Sequence, residues 1–174
     1  EMEKLDGILL GRTETMIVNY MARQYAVMGD WKRALEILEK LKNTYENSKV
    51  DLRFHYSEIA VIYSHLSFYY EKMDDFEKAE ECCMKGIRLD LSSGRMGCIA
   101  YLLMQYACIQ ERKGKKKETV IRICSASYYL YELKEDKYYM RVIENHLREK
   151  YHTGISMDCI SIPGKSKPTV NKLE

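Results

Sequence analysis

The stretch "MGDWKRALEILEK", Met28 to Lys40, reads as a tight turn followed by the first turns of an amphipathic helix. Gly29 and Asp30 turn the chain, and Ala34, Leu35, Leu38 and Leu41 then fall on one stripe at helical spacing. The stretch returns further along. "YAVMGDWKRALEIL" (Tyr25 to Leu38) aligns with "YEKMDDFEKAEECC" (Tyr70 to Cys83), placing Tyr on Tyr, Met on Met, Asp30 on Asp75, Trp31 on Phe76 and Ala34 on Ala79. A weaker third copy, "QERKGKKKETVIRI" (Gln110 to Ile123), keeps a glycine at the turn but has Lys116 for the aromatic and Thr119 for the small residue. The period of about 40 to 45 residues belongs to helical-pair repeats. Gly-Asp-Trp is therefore the punctuation of a packing unit. The small residue lets the second helix approach the first, and the aromatic fills the space above the turn.

Composition agrees with helices. Both prolines of the 174 residues, Pro163 and Pro168, lie near the C-terminal end, so the body lacks the strongest helix breaker. Ala, Leu, Met, Glu, Lys and Arg, all good helix formers, dominate it. First helices are expected over Thr15 to Met28, about Leu52 to Met73 and about Arg95 to Lys113. Each is followed by a polar turn and a second helix, and a last helix, about Glu135 to Lys150, caps the series. The first helices are apolar over more than half their circumference, as in Tyr56 to Tyr70 and Cys98 to Ile109, which fits an inner layer or the wall of a filled groove. The expected fold is all-α, a right-handed superhelix of three antiparallel hairpins plus a cap over residues 13–152. Residues 1–12 read as the end of an upstream helix or linker, and the chain as a fragment of something longer. Residues 153–174 read as a tail, of which Ile155 to Ile162, with alternating apolar residues, is expected to dock on the domain or on a neighbouring subunit.

Charge and cysteine usage exclude several classes. With 28 basic and 26 acidic side chains, the chain lacks the basic excess of a module that holds DNA alone. No apolar run approaches the length of a membrane span, and no signal peptide opens the chain. The six cysteines form no C-x-x-C pair and read as reduced thiols of a cytoplasmic protein. Adjacent Cys82 and Cys83 point about 100° apart on a helix, which favours packing over a mutual disulfide. His55, His65, His146 and His152 show no ligand spacing, so no metal or cofactor is expected. No nucleophile elbow, phosphate loop or H-E-x-x-H motif supports an enzyme. The run Arg112 to Lys117 reads as a solvated basic turn.

Small or aromatic residues on the first helix, Gly-Asp-aromatic at the turn and alanine on the second helix resemble the tetratricopeptide repeat. The resemblance covers about Thr13 to Lys150. The repeats exceed the usual 34 residues and lack the proline that ends each one. This lengthened form, with "CMKGIRLDLSSGRMGCIAYLLMQYACIQERKGKKKETV" (Cys83 to Val120), is similar to the C-terminal domains of Gram-positive helix-turn-helix regulators, including those that sense peptide pheromones. The resemblance implies a domain that dimerises and takes a peptide or protein ligand in its concave groove. DNA would be read only by an upstream helix-turn-helix, absent here. Matching residues to the repeat places Asn19, Arg23, Ser64, Phe68, Tyr101, Met104 and Cys108 inward, with Asn145 on the last helix. Asparagine pairs with peptide backbone in both directions, arginine suits a carboxylate, and Phe68, Tyr101 and Met104 form side-chain pockets. The alternative is that Asn19 and Arg23 are solvated groove polars. Tyrosine, 15 in number, is either recognition surface or filler between helices, and Tyr128, Tyr129, Tyr131, Tyr138 and Tyr139 cluster where a dimer face is also conceivable. A free-standing adaptor that binds another protein is the second functional reading.

Overall fold

The computed structural model describes residues 11–48, 51–94 and 96–156, the side chain of Phe54 excepted. Among them all regular structure is helical: α1 (Arg12–Val27), α2 (Trp31–Glu46), a single 3₁₀ turn (Leu52–His55), α3 (Tyr56–Lys72), α4 (Phe76–Ser93), α5 (Ile99–Arg112), α6 (Lys117–Leu133) and α7 (Lys137–Tyr151). The all-α hairpin expectation holds. Helix α1 begins at Arg12, three residues before its expected start, with Gly11 at its N-cap. No helix among the described residues is long and apolar enough to cross a membrane.

One turn geometry recurs four times. After α1, the N–H of Gly29 donates to Ala26 O (3.0 Å) and that of Asp30 to Tyr25 O (2.9 Å). The same two bonds run from Asp74 to Glu71 and Asp75 to Tyr70, from Gly114 to Glu111 and Lys115 to Gln110, and from Glu135 to Glu132 and Asp136 to Tyr131. Such a closure satisfies the last carbonyls of a helix and needs one left-handed residue. Gly29, Asp74, Gly114 and Glu135 supply it, at φ of 85°, 59°, 70° and 57°. Asp30, Asp75 and Asp136 then cap the next helix, each accepting from the N–H three residues on. The weak third copy lacks that cap: Lys115 stands in the aspartate's position, and α6 starts one residue later, with Lys116 at its N-cap and no side-chain cap bond. The fourth turn makes α6 the second helix of one hairpin and the first of another, so α7 is a further repeat of the hairpin pattern.

Packing follows the helix order. Each helix lies against its neighbours in sequence, and α3 also touches α1 and α5, so the first helices of successive pairs form one layer. Ala34 and Ala79 are fully buried where second helices meet first ones. Buried hydroxyls tie the crossings: Ser67 donates to Ala79 O at 2.8 Å and Ser127 to Ala100 O at 2.6 Å. At Gly86 a Cβ would stand 3.1 Å from Leu102 and 3.3 Å from Tyr63, which explains a glycine inside α4. The core is a series of layers: Ala22, Leu38, Tyr45 and Leu66 over α1–α3; Ala79, Cys83, Leu102 and Ile109 between α4 and α5; Ala100, Val120, Cys124, Ile143 and Leu147 over α5–α7. Beyond α7, Ile155 packs on the last layer and Ser156 N donates to Ser125 Oγ (2.8 Å), which begins the expected docking of the tail; 157–162 lie outside the described residues.

Candidate functional site

A cavity of about 960 Å³ opens along the layer of first helices. Its walls come from α1 (Met16, Asn19, Tyr20, Arg23), the start of α2 (Trp31), α3 (Ser64, His65, Phe68, Tyr69), the start of α5 (Cys98, Tyr101) and the α6–α7 turn (Tyr131, Lys134, Asp136, Tyr139). That size is at the upper end of the roughly 300–1,000 Å³ that hold drug-sized ligands. Much of the wall is aromatic. Trp31 meets Phe68 edge-on at 6.2 Å and Tyr69 at 5.9 Å, and Tyr131 stacks on Tyr139 at 4.7 Å.

The polar groups gather mainly at the α1–α3 end. Asn19 and Arg23 are one turn apart on α1 and so share a face. Asn19 is buried, and its Oδ1 lies 3.3 Å from His65 Nδ1. A carbonyl oxygen only accepts, so Nδ1 carries the ring proton and the neutral ring keeps Nε2 as an acceptor. Burial, and then the Arg23 cation, hold His65 below the ordinary histidine range, so the ring is neutral at pH 7. Neither the Asn19 amide NH₂ nor the Arg23 guanidinium has a hydrogen-bond or ion-pair partner among the described residues. At the other end, Lys134 Nζ donates to Gly97 O at 2.8 Å, and one Asp136 oxygen is engaged by the α7 N-terminus. Burial pushes the Tyr101 hydroxyl up to about 12, and it receives the Gln105 amide at 2.8 Å.

Of the residues singled out from the sequence, the cavity brings together Asn19, Arg23, Ser64, Phe68 and Tyr101. It does not take in Met104, Cys108 or Asn145. Met104 packs on the α5–α7 core layer. Cys108 is half-buried near Cys124 of α6 and Lys150 of α7, and Asn145 is exposed on α7. The stripe 101–104–108 runs along one face of α5, but beyond the first turn Met104 packs on the core layer it shares with α6 and α7, and Cys108 sits near Cys124 and Lys150. Ser64, though on the wall, spends its hydroxyl on Val61 O at 2.8 Å. Sequence reasoning missed Trp31, which it assigned to scaffold alone, together with His65, Tyr69 and the α6–α7 turn. The signal for that turn was present: "YELKED" (Tyr131 to Asp136) repeats the Tyr and Asp of "YAVMGD" at the same spacing.

Other candidates resolve into structure. Arg112 pairs with Glu71 at 3.3 Å and Asp74 at 2.5 Å, and Lys113 with Glu80 at 2.6 Å, so the basic run knits α5 to the α3–α4 hairpin. Cys82 and Cys83 are buried, with burial pushing both thiols up to about 12, far from the thiolate a redox sensor needs. Within the tyrosine cluster, Tyr131 and Tyr139 belong to the cavity, Tyr128 donates to Glu144 at 3.0 Å and Tyr138 is exposed. Among the described residues no cluster of three or more His, Cys, Asp or Glu is arranged to hold a metal ion. What the geometry defines is a stack of helical hairpins carrying one large aromatic cavity with hydrogen-bonding groups at its ends. No family model, curated protein or solved structure matches the chain.

Proposed function

We propose that this chain is a non-enzymatic, tetratricopeptide-like domain that binds a peptide or protein segment in the α1–α3–α5 cavity. The carrying observation is that five residues chosen for a groove, Asn19, Arg23, Ser64, Phe68 and Tyr101, line one cavity large enough for several residues of extended chain. Amide and guanidinium donors with no partner among the described residues, beside aromatic walls, suit a peptide, whose backbone needs partners and whose side chains need pockets. The domain serves a cytoplasmic transcription regulator with a helix-turn-helix preceding Glu1, and ligand binding biases the arrangement of the attached heads by population shift. Its dimerisation is supported by apolar side chains outside the cavity on α1 and at its C-cap, where Ile17, Met21 and Met28 are 55%, 41% and 68% exposed.

Trp31 is the single tryptophan and sits in the cavity wall, so its fluorescence reports occupancy directly. Titration with a hexapeptide library is expected to yield saturable binding, weakened in both Asn19→Ala and Arg23→Ala. Equal binding by the parent and both variants would remove those residues from the site. The coding sequence upstream of Glu1 separates a regulator, which carries a helix-turn-helix there, from a free-standing adaptor, which does not.

A further inference from the structure

Resting on that reading, we infer that the cavity selects a peptide carrying a carboxylate next to an apolar or aromatic side chain, with the carboxylate seated on Arg23 and Asn19. Arg23 lines the cavity without a salt bridge to any described residue, whereas Arg12, Arg33 and Lys42 each pair with a carboxylate. A guanidinium presents a planar fork of donors that matches a carboxylate, and charge-assisted bonds are about twice as strong as neutral ones. One turn earlier on α1, Asn19 is held by His65 through its Oδ1, which orients its NH₂ and leaves that group as a second donor. The neighbouring acceptor does not spoil the pole: His65 is neutral and already turned toward Asn19, so it adds no competing charge.

The surroundings fix what stands beside the carboxylate. His65 stacks on Tyr69 at 6.2 Å, and Tyr69 continues into Trp31 and Phe68, so the donor pole opens onto an aromatic wall. Charge in the rest of the cavity favours the same sign of ligand. Lys134 is bonded only to a neutral carbonyl, and the one lining carboxylate, Asp136, is turned to the α7 N-terminus. The charged side chains lining the cavity are thus two cations and one anion that is already engaged. A basic peptide meets repulsion there; an acidic one finds donors that no described residue occupies.

The carboxylate has two sources in a peptide, the C-terminus and an acidic side chain, and one experiment separates them. Hexapeptides of leucine, phenylalanine and alanine are made in four forms: free or amidated C-terminus, each with an internal glutamate or glutamine. Each is titrated against the parent chain and against Arg23→Met, which keeps the side-chain length without the charge, with Trp31 emission as readout. Arg23 is exposed, and an unchanged melting temperature and circular dichroism confirm that the variant folds. The expected result is binding about tenfold or more tighter for one carboxylate form over its amide, a difference that Arg23→Met abolishes. If the parent binds all four forms alike, or the preference survives unchanged in Arg23→Met, the inference falls while the peptide-binding reading stands. If none of the four binds and the wider library is also silent, both fall.

Discussion

Trp31 opens α2 with its ring half-buried against Phe68 and Tyr69, one side toward the hairpin and the other toward the cavity. Replacing a fully buried tryptophan with alanine costs about 3–5 kcal/mol, so a half-buried one is expected to cost about 2 kcal/mol. Urea denaturation of Trp31→Ala, followed by circular dichroism, checks this; a loss above about 4 kcal/mol would return the residue to pure scaffold. His65 makes a prediction of a different sign from most histidines. Its folded value is lowered by burial and by Arg23, whereas in the unfolded chain it titrates near 6.5. Between those values the unfolded state binds more protons, so His65 destabilises the fold as pH drops below about 6.5 and is neutral to stability above it. The difference in stability between pH 7.5 and pH 5 is therefore expected to shrink in His65→Gln, whose amide still reaches Asn19 but takes no proton. An unchanged pH dependence would show that His65 takes up its proton alike in the folded and unfolded chains.

The turns were legible in sequence where glycine or the Asp-aromatic pair marks them, and illegible where another residue takes the left-handed position. Gly29 and Gly114 advertise a positive φ; Asp74 and Glu135 adopt one without saying so. Asp74 is held there by its place in a strong copy of the repeat and by Arg112. Glu135 has only the turn itself, which is why the α6–α7 connection read as the start of a cap and not as a fourth turn. A non-glycine residue in this region is strained by about 1–2 kcal/mol, part of which glycine returns through its greater freedom when unfolded. Glu135→Gly is expected to raise stability by up to about 1 kcal/mol. Gly29→Ala is expected to lower it by about 1 kcal/mol, through backbone strain alone, since a Cβ there meets nothing within 4 Å. Thermal melts of the two variants decide the matter, and a loss of stability in Glu135→Gly would show that its side chain holds the turn.

At the scale of the molecule, periodicity named the faces that are covered but not what covers them. Tyr101, Met104 and Cys108 carry one signal in sequence, yet only Tyr101 meets the cavity, because Met104 packs instead on the layer shared with α6 and α7 and Cys108 sits near Cys124. The α6–α7 contribution to the site depends on packing choices at every helix crossing between α1 and α7, which no short window of sequence contains. The layered packing also has an energetic consequence. The core is built of successive layers, so each helix is stabilised mainly by its neighbours, and the ends are the least secured. Helix α7 buries only Ile143 and Leu147, whereas α3 buries nine residues against α1, α2, α4 and α5. Hydrogen exchange is expected to be slowest in α3 and α4 and fastest in α1 and α7, with no single global rate. The cavity, however, takes walls from α1 at one end and the α6–α7 turn at the other. A ligand that fills it bridges elements otherwise joined only through the intervening layers, and stabilises by about 2.7 kcal/mol at a hundredfold excess over its Kd. The carboxylate hexapeptide that binds best should therefore slow exchange in α1 and α7 together, more than in α3 and α4. Protection confined to α1 and α3 would mean that the ligand occupies the Arg23 end alone and leaves the two ends of the stack uncoupled.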